Sequence, residues 1–149
     1  MSKNTERTVA YRVLFLVYCA VMLWLLFGQR WGDPSYLAQH RMNINLVPLY
    51  TIKQYFSLLH YSTYRWHAVV NLVGNILVFI PMGYLLPRIW KKFQHFLYLF
   101  LAVALMVIFV DLLQYVTLLG SCDIDDLLLN LIGAVVGYSV WRIKCPKPK

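Results

Sequence analysis

Acidic residues are scarce in this chain, with only six Asp and Glu among its 149 residues. Charged residues of both signs make up 13% of it, whereas soluble domains carry about a quarter. Hydrophobic residues supply 60%, and the mean hydropathy is +0.59. This balance excludes an ordinary soluble domain and indicates a membrane protein. The chain is short enough to form a single domain over residues 1–149.

Cysteine is also rare, and the three cysteines are too dispersed to suggest a disulfide framework. A small-x-small cleavage site is missing after the first apolar run, although Lys3, Arg7 and Arg12 resemble the basic start of a signal peptide. The run is long, and "FGQRWGD" follows it. A retained membrane anchor is therefore favoured over a cleaved signal peptide.

Four apolar runs approach the roughly 20 residues that a membrane-spanning helix needs. They cover Ala10–Phe27, Ala68–Trp90, Phe93–Leu119 and Ile124–Ile143. We therefore predict an all-α, polytopic integral membrane protein with four transmembrane helices.

The basic residues predict the orientation of these helices. With four spans, both termini and the connection between the second and third helices share one side, which holds ten Lys and Arg residues, and the other side holds four. The positive-inside rule then places both termini in the cytoplasm. The net charge of +8 reflects this topology and an affinity for anionic lipids. No nucleic-acid motif accompanies it, and no nucleic-acid partner is expected.

The outer connection of about forty residues between the first two helices, Gly28–His67, contains a second pattern. Pro48 suits the first turn of a helix, and Ile52, Tyr55, Phe56 and Leu59 follow at i, i+3, i+4 and i+7. This spacing predicts an amphipathic helix in the outer membrane interface. The alternative is a hydrophobic re-entrant turn that packs on the bundle.

Polar residues of three predicted helices converge at one depth in the outer leaflet. Such groups normally face the bundle interior or a wet cavity, so we predict one outward-facing pocket. Its expected lining is His67, Asn71, Asn75, Asp111, Gln114, Asp123, Asp126 and Asn130. Two alternatives stay open: the amides can be ordinary interhelical hydrogen-bonding groups, and the aspartates can cap the last helix. Asp125 points nearly the opposite way on a helical wheel, and we interpret it as such a cap.

Asp111 fits neither alternative, because it is not at a helix start and is not an amide. It must be neutral, paired or hydrated, with His67, Arg65 or Arg41 as candidate partners, or a cation shared with Asp126. Asp111, Asp123 and Asp126 are candidate ligands for Mg²⁺ or Ca²⁺, which prefer oxygen. No motif with diagnostic spacing makes this a firm metal site, and no other cofactor is expected.

Small residues and a proline predict how the helices pack. Gly133 and Gly137 form a small-xxx-small face, which allows close helix packing within the bundle or, alternatively, dimerisation. Pro81 removes the N–H that would bond to the Leu77 carbonyl, so a kink below the pocket is expected.

Four blocks of this sequence resemble the VanZ-like family of small bacterial integral membrane proteins. They are "NINLVPLYTI", "NLVGNILVFIPMGYLLP", "VDLLQY" and "DIDDLLLNLIGAVVGY", and they occur in the family's order between Asn43 and Tyr138. Two positions depart from the family's pattern: Asp111 stands where Glu is usual, and Ser121 and Cys122 stand where an arginine and an aromatic residue often occur. The resemblance implies the bacterial cytoplasmic membrane and a link to resistance against teicoplanin, but no defined reaction.

Three functions fit these features. The first is a non-enzymatic envelope protein that binds a lipid-linked or amphiphilic molecule in the outer-leaflet pocket, with membrane lipids or lipid-linked envelope precursors as partners. The second is a membrane enzyme that acts on a phosphate-bearing lipid. Asp111 is its candidate catalytic residue, as a general acid or base, or it holds a divalent cation on the phosphate together with Asp123 and Asp126. A proton-coupled transporter is disfavoured because the inner halves of the second and fourth helices are almost wholly apolar.

Overall fold

The computed structural model describes residues 3–28, 44–117, 119 and 122–145. Within these residues the chain forms five α-helices, which we number in order: α1 (Lys3–Leu23), α2 (Tyr50–Leu58), α3 (Ser62–Ile89), α4 (Phe96–Val116) and α5 (Ile124–Lys144). A π-helical turn, Trp24–Gly28, continues α1, and a 3₁₀ turn, Lys91–Gln94, precedes α4. Two short strands, β1 (Ile44–Asn45) and β2 (Cys122–Asp123), complete the described chain.

Four helices are long and apolar enough to cross a membrane, which confirms the all-α, four-span prediction. The spans are Glu6–Phe27, Ser62–Ile89, Phe96–Val116 and Ile124–Lys144. The third span is shorter than the predicted Phe93–Leu119, because residues before it form the 3₁₀ turn and the helix ends at Val116, with Thr117 as its C-cap.

Helix α3 is longer than predicted and passes beyond the start of its neighbour α5. Its 28 residues extend about 42 Å, more than the roughly 30 Å of bilayer hydrocarbon. Asn75, thirteen residues into α3, donates to Asp126 in the first turn of α5. The first three turns of α3 therefore project past α5, and helix α2 packs against this projection.

The closest helix pair in the bundle is α3 with α5. Gly133 and Gly137 on α5 face the backbone of α3, and a β-carbon at either position would overlap the carbonyl oxygen of Ile76 or Ile80. Gly83 on α3 makes the reciprocal approach to Ala134. Helix α3 remains helical through Pro81. Apolar side chains of α3, α4 and α5, including Phe79, Val103 and Leu131, fill the space between the helices.

Helix α1 is the least buried span and is tied to the bundle by two hydrogen bonds to backbone carbonyls. Tyr18 donates its hydroxyl to the Val78 carbonyl at 2.9 Å, in the turn that precedes Pro81. Gln114 of α4 donates to the Leu26 carbonyl, in the π-helical turn, at 3.1 Å. The Leu26 carbonyl lies in the π-helical turn, where the regular α-helical pattern is interrupted, and satisfying such a carbonyl matters in a medium without water.

The predicted amphipathic helix is present as α2. It begins two residues after Pro48 and turns a half-buried face, with Ile52, Tyr55 and Leu58, toward the bundle. Phe56 on its other side is exposed. A tight turn leads into it, with a hydrogen bond from Tyr50 N–H to the Val47 carbonyl, Pro48 in the second position and Leu49 in a left-handed conformation (φ 65°) in the third.

Candidate functional site

Strand β2 and the first turn of α5 bring three carboxylates to the end of the bundle that carries α2. Asp123 caps α5, because its Oδ1 accepts from the Asp125 N–H at 2.9 Å. The parallel pairing of β1 with β2 sets Asn45 opposite Asp123. Asn45 donates to Asp123 Oδ1 at 3.1 Å, and the Thr51 hydroxyl donates to Asp123 Oδ2 at 2.6 Å. Both oxygens of Asp123 thus hold the loop against α5.

Asp125 has a different role from the one predicted for it. Its side chain is fully buried, and its two oxygens accept from the N–H groups of Leu49 at 2.6 Å and Ile52 at 3.0 Å. It caps α2, whose own residues supply no side-chain cap, and not its own helix α5. Asp125 faces α2 and Asp126 faces α3, as the helical wheel predicted, but Asp125 does not face away from Asp123, because the adjacent residues Thr51 and Ile52 donate to Asp123 and Asp125. The helical wheel did not reveal that a second helix covers this face.

Asp126 points toward α3, where Asn75 donates to its Oδ1 at 2.6 Å. The carboxylate of Asp111, on α4, is close enough to Asp126 and Asp123 to be repelled by both. Asp111 is buried, with 8% of its surface exposed, and it accepts no hydrogen bond from any residue that the structure describes. Three helices therefore contribute to one acidic cluster, which we define as Asn75, Asp111, Asp123 and Asp126.

Three of the predicted pocket residues have other partners. The His67 side chain is exposed, and Asn71 donates to the His67 carbonyl within its own helix at 2.8 Å. Positions i and i+8 of a helix differ in direction by about 80°, so the stripe from Asn75 to His67 rotates away from the cluster. Gln114 bonds to the Leu26 carbonyl. The proposed partner Arg65 donates to the Leu59 carbonyl at 2.9 Å, and Arg41 lies outside the described residues.

Asn130 lies one turn after Asp126 on the same face of α5. It is buried, and its Oδ1 has no hydrogen-bond partner in the described part of the chain. The described residues also contain no group of three or more His, Cys, Asp or Glu side chains that could hold a metal ion. Asp123 explains part of this, because its oxygens already accept hydrogen bonds from the loop.

Cys122 lies at the edge of the cluster, and the pKa of its thiol is sensitive to the neighbouring carboxylates. It precedes α5 and is half-buried. Burial, together with the carboxylates of Asp111 and Asp123, raises the pKa of its thiol above the ordinary value. The thiol therefore stays protonated at neutral pH.

Comparison with known proteins identifies the family of this chain. The VanZ/LLP1 family model matches residues 13–144, which include all four spans and the acidic cluster. The chain belongs to the VanZ/LLP1 family. Protein VanZ of Enterococcus faecium is 26% identical over 133 residues, which cover 89% of this chain and 73% of that protein. No solved structure matches this chain.

Within this VanZ/LLP1 chain, sequence reasoning missed two residues that contact the cluster, Asn45 and Thr51. Both lie in the block "NINLVPLYTI", which is part of the resemblance to the family. Its helical spacing predicts α2 but says nothing about what the Asn45 and Thr51 side chains contact. Asn side chains often accept a hydrogen bond from the backbone two residues later, which forms an Asx-turn. Asn45 does this by accepting from the Val47 N–H at 3.1 Å. This tendency of Asn was the available signal.

Proposed function

We propose that this chain is a non-enzymatic protein of the bacterial cell envelope. In this proposal the acidic cluster lies in the outer leaflet of the cytoplasmic membrane and binds a lipid-linked or amphiphilic molecule, which alters the access of glycopeptide antibiotics such as teicoplanin to the cell wall. One observation carries the proposal. Asp123 and Asp126 accept hydrogen bonds from Asn45, Thr51 and Asn75, whereas Asp111 is buried beside them and accepts none from the described residues.

The chemistry of the cluster defines the kind of ligand. Asp111 accepts no hydrogen bond from the described residues, and a buried carboxylate is stabilised by each donor that approaches it, so a ligand that supplies donors is favoured. Asn130 Oδ1 is a second buried acceptor without a partner among the described residues. Both groups accept hydrogen bonds, and the neighbouring carboxylates are negative. The preferred head group is therefore rich in N–H or O–H donors, or carries an ammonium group.

The location in the outer leaflet follows from the basic residues. Asp111 lies five residues, or about 7 Å, before the end of α4, at the end of the bundle opposite to the chain termini. Ten Lys and Arg residues on the terminal side against four on the other support an outer position for this end. A ligand reaches the cluster from the membrane or the cell surface.

An enzyme is the second candidate, because the carboxylates of Asp111, Asp123 and Asp126 lie close enough to repel one another. Mg²⁺ or Ca²⁺ would relieve this repulsion and hold the phosphate of a lipid. Two observations weigh against it. Asp123 already uses both oxygens, and the described residues form no metal-binding group. Without a cation, the cluster would repel a phosphate.

The substitution Asp111→Asn tests the role of this carboxylate. We expect the variant to fold and insert, because a neutral amide is cheaper to bury than a charge, and to lose teicoplanin resistance in a susceptible host that expresses the chain. Glu6→Gln, which removes an exposed carboxylate at the opposite end of the bundle, is the matched control and should keep resistance. Full resistance of an inserted Asp111→Asn protein would refute Asp111 as the working residue.

Lipid mass spectrometry separates the two functions. Cells with the wild-type chain and cells with the Asp111→Asn variant should have the same lipid profile if the protein only binds its ligand. An enzyme would leave a modified lipid that the variant cells lack. Finding such a lipid would replace binding by catalysis as the function of the cluster.

A further inference from the structure

A concave site lies in the half of the bundle that carries the chain termini. It is a groove of about 620 Å³ between α1, α3 and α5, lined by apolar side chains that include Leu14, Val17, Pro81 and Val140. Along α1 it extends from Leu14 to Val21, which corresponds to about 10 Å of the bundle axis. The groove shares no residue with the acidic cluster.

The end of this groove nearest the termini is basic. Lys144, exposed at the end of α5, is part of its lining. Tyr84 also lines it, and the Arg88 guanidinium stacks 4.4 Å from the centre of the Tyr84 ring. Arg88 Nη1 donates to the Tyr11 hydroxyl at 2.5 Å, but its buried Nε has no partner among the described residues.

Charge on this side is unbalanced. In the described residues at this end there are eight Lys and Arg, namely Lys3, Arg7, Arg12, Arg88, Lys91, Lys92, Arg142 and Lys144. Glu6 is the only acidic residue in the described part of this end. The positive rim of the groove is therefore not neutralised by carboxylates of the described chain.

We propose that this groove is a binding site for an anionic diacyl phospholipid. One acyl chain lies along α1 over Pro81 and Val140, and the lipid phosphate meets Lys144 and Arg88 at the rim. The apolar wall and the basic end match the two parts of such a lipid in the right order, with the charge at the end of the helices where head groups lie. A zwitterionic lipid matches the wall but not the rim.

Native mass spectrometry of the full chain in detergent tests this site, with equal amounts of phosphatidylglycerol and phosphatidylcholine that have the same acyl chains. We expect the wild type to retain phosphatidylglycerol preferentially. Lys144→Gln should reduce that preference about fivefold, the effect of one basic residue near a charged head group. Lys91→Gln is the control: it removes the same charge from an exposed position in the turn after α3, which does not line the groove.

Filling the groove tests the apolar wall. Val140→Trp should abolish retention of both lipids, whereas Ile143→Trp, an exposed position outside the groove, should not. If Val140→Trp does not fold, as judged by circular dichroism, Leu14→Trp fills the groove from its opposite wall. Lys144 is exposed, so its variant keeps the test decisive in any case. Equal retention of the two lipids by the wild type, or an unchanged preference in Lys144→Gln, would overturn the proposal.

Discussion

Leu49 holds a left-handed backbone conformation, with φ 65° and ψ 6°, at the start of α2. For a residue with a β-carbon this costs roughly 1–2 kcal/mol. The Asp125 carboxylate accepts from the Leu49 N–H and from the Ile52 N–H one turn later. Hydrogen bonds to a charged group contribute about 1.5–3 kcal/mol each. A buried charge from the last helix thus offsets backbone strain in the first long loop.

Substitution of Asp125 by Asn should loosen α2 without unfolding the bundle. The amide can accept with one oxygen only, so we expect a loss of about 2 kcal/mol from the local stability of the loop. Trypsin cleavage after Lys53, within α2, should then be about 30-fold faster in detergent. Cleavage after Lys91 and Lys92, at the other end of the molecule, is the internal control and should not change. Adding Leu49→Gly to the Asp125→Asn variant should restore part of its resistance to trypsin, since glycine adopts positive φ at little cost.

Alkylation of Cys122 should depend on Asp111. The two neighbouring carboxylates raise the pKa of this thiol, so removing one of them lowers the pKa and increases the thiolate fraction at pH 8. In a chain whose Cys19 and Cys145 are replaced by Ser, Asp111→Asn should therefore react faster with iodoacetamide. The midpoint of the rate against pH should fall as well. An unchanged midpoint would mean that the Asp111 charge does not reach Cys122.

At the scale of elements, three glycines set the distance between α3 and α5. A β-carbon at Gly83 would overlap the Ala134 carbonyl oxygen, whereas a β-carbon at Gly74, on the same helix, meets nothing within 4 Å. Gly83→Ala should therefore destabilise the protein by about 1–3 kcal/mol through overpacking. Gly74→Ala should be neutral or slightly stabilising, because alanine favours helix. Thermal unfolding in detergent measures both, and equal midpoints would contradict the close approach.

The elements themselves could be predicted because each depends on a local pattern. Apolar runs predicted the four spans, and the i, i+3, i+4 spacing from Ile52 predicted α2. The pairing of β1 with β2 could not be predicted, since two residues per strand carry no periodic signal and their partners are 78 positions apart. Asp125 was assigned to its own helix because a helical wheel describes one helix and cannot show what covers it.

The candidate site was predictable where a short helix segment faces the bundle, as for Asn75, Asp111 and Asp126. It was not predictable over eight residues of α3, because the drift of each i, i+4 step carries His67 away from the cluster. Nor does a polar side chain reveal whether it will bond to another side chain or to a backbone carbonyl. Gln114 illustrates this, since it donates to the Leu26 carbonyl. This carbonyl lies in the π-helical turn after α1, which no sequence pattern predicts.

At the scale of the whole molecule, the orientation in the membrane decides what the acidic cluster can meet. The ten-to-four distribution of Lys and Arg predicts that α2 and the start of α3 face outward. In a chain whose native cysteines are replaced, a membrane-impermeant maleimide should label Thr63→Cys in intact cells. Lys91→Cys, equally exposed in the structure, should react only after permeabilisation. The reverse pattern would put the acidic cluster on the cytoplasmic side.

The contacts between the loop and α5 also order events during synthesis. Ile52 and its partner Asp125 are separated by 73 residues, and Thr51 and Asp123 by 72. The loop therefore leaves the ribosome before the residues that anchor it have been made. Until the last span enters the membrane, Leu49 has no carboxylate to hold its turn and Asn75 has no partner on α5. The acidic cluster is thus complete only after α5 has been made, because a nascent chain that stops before β2 and α5 lacks both Asp123 and Asp126.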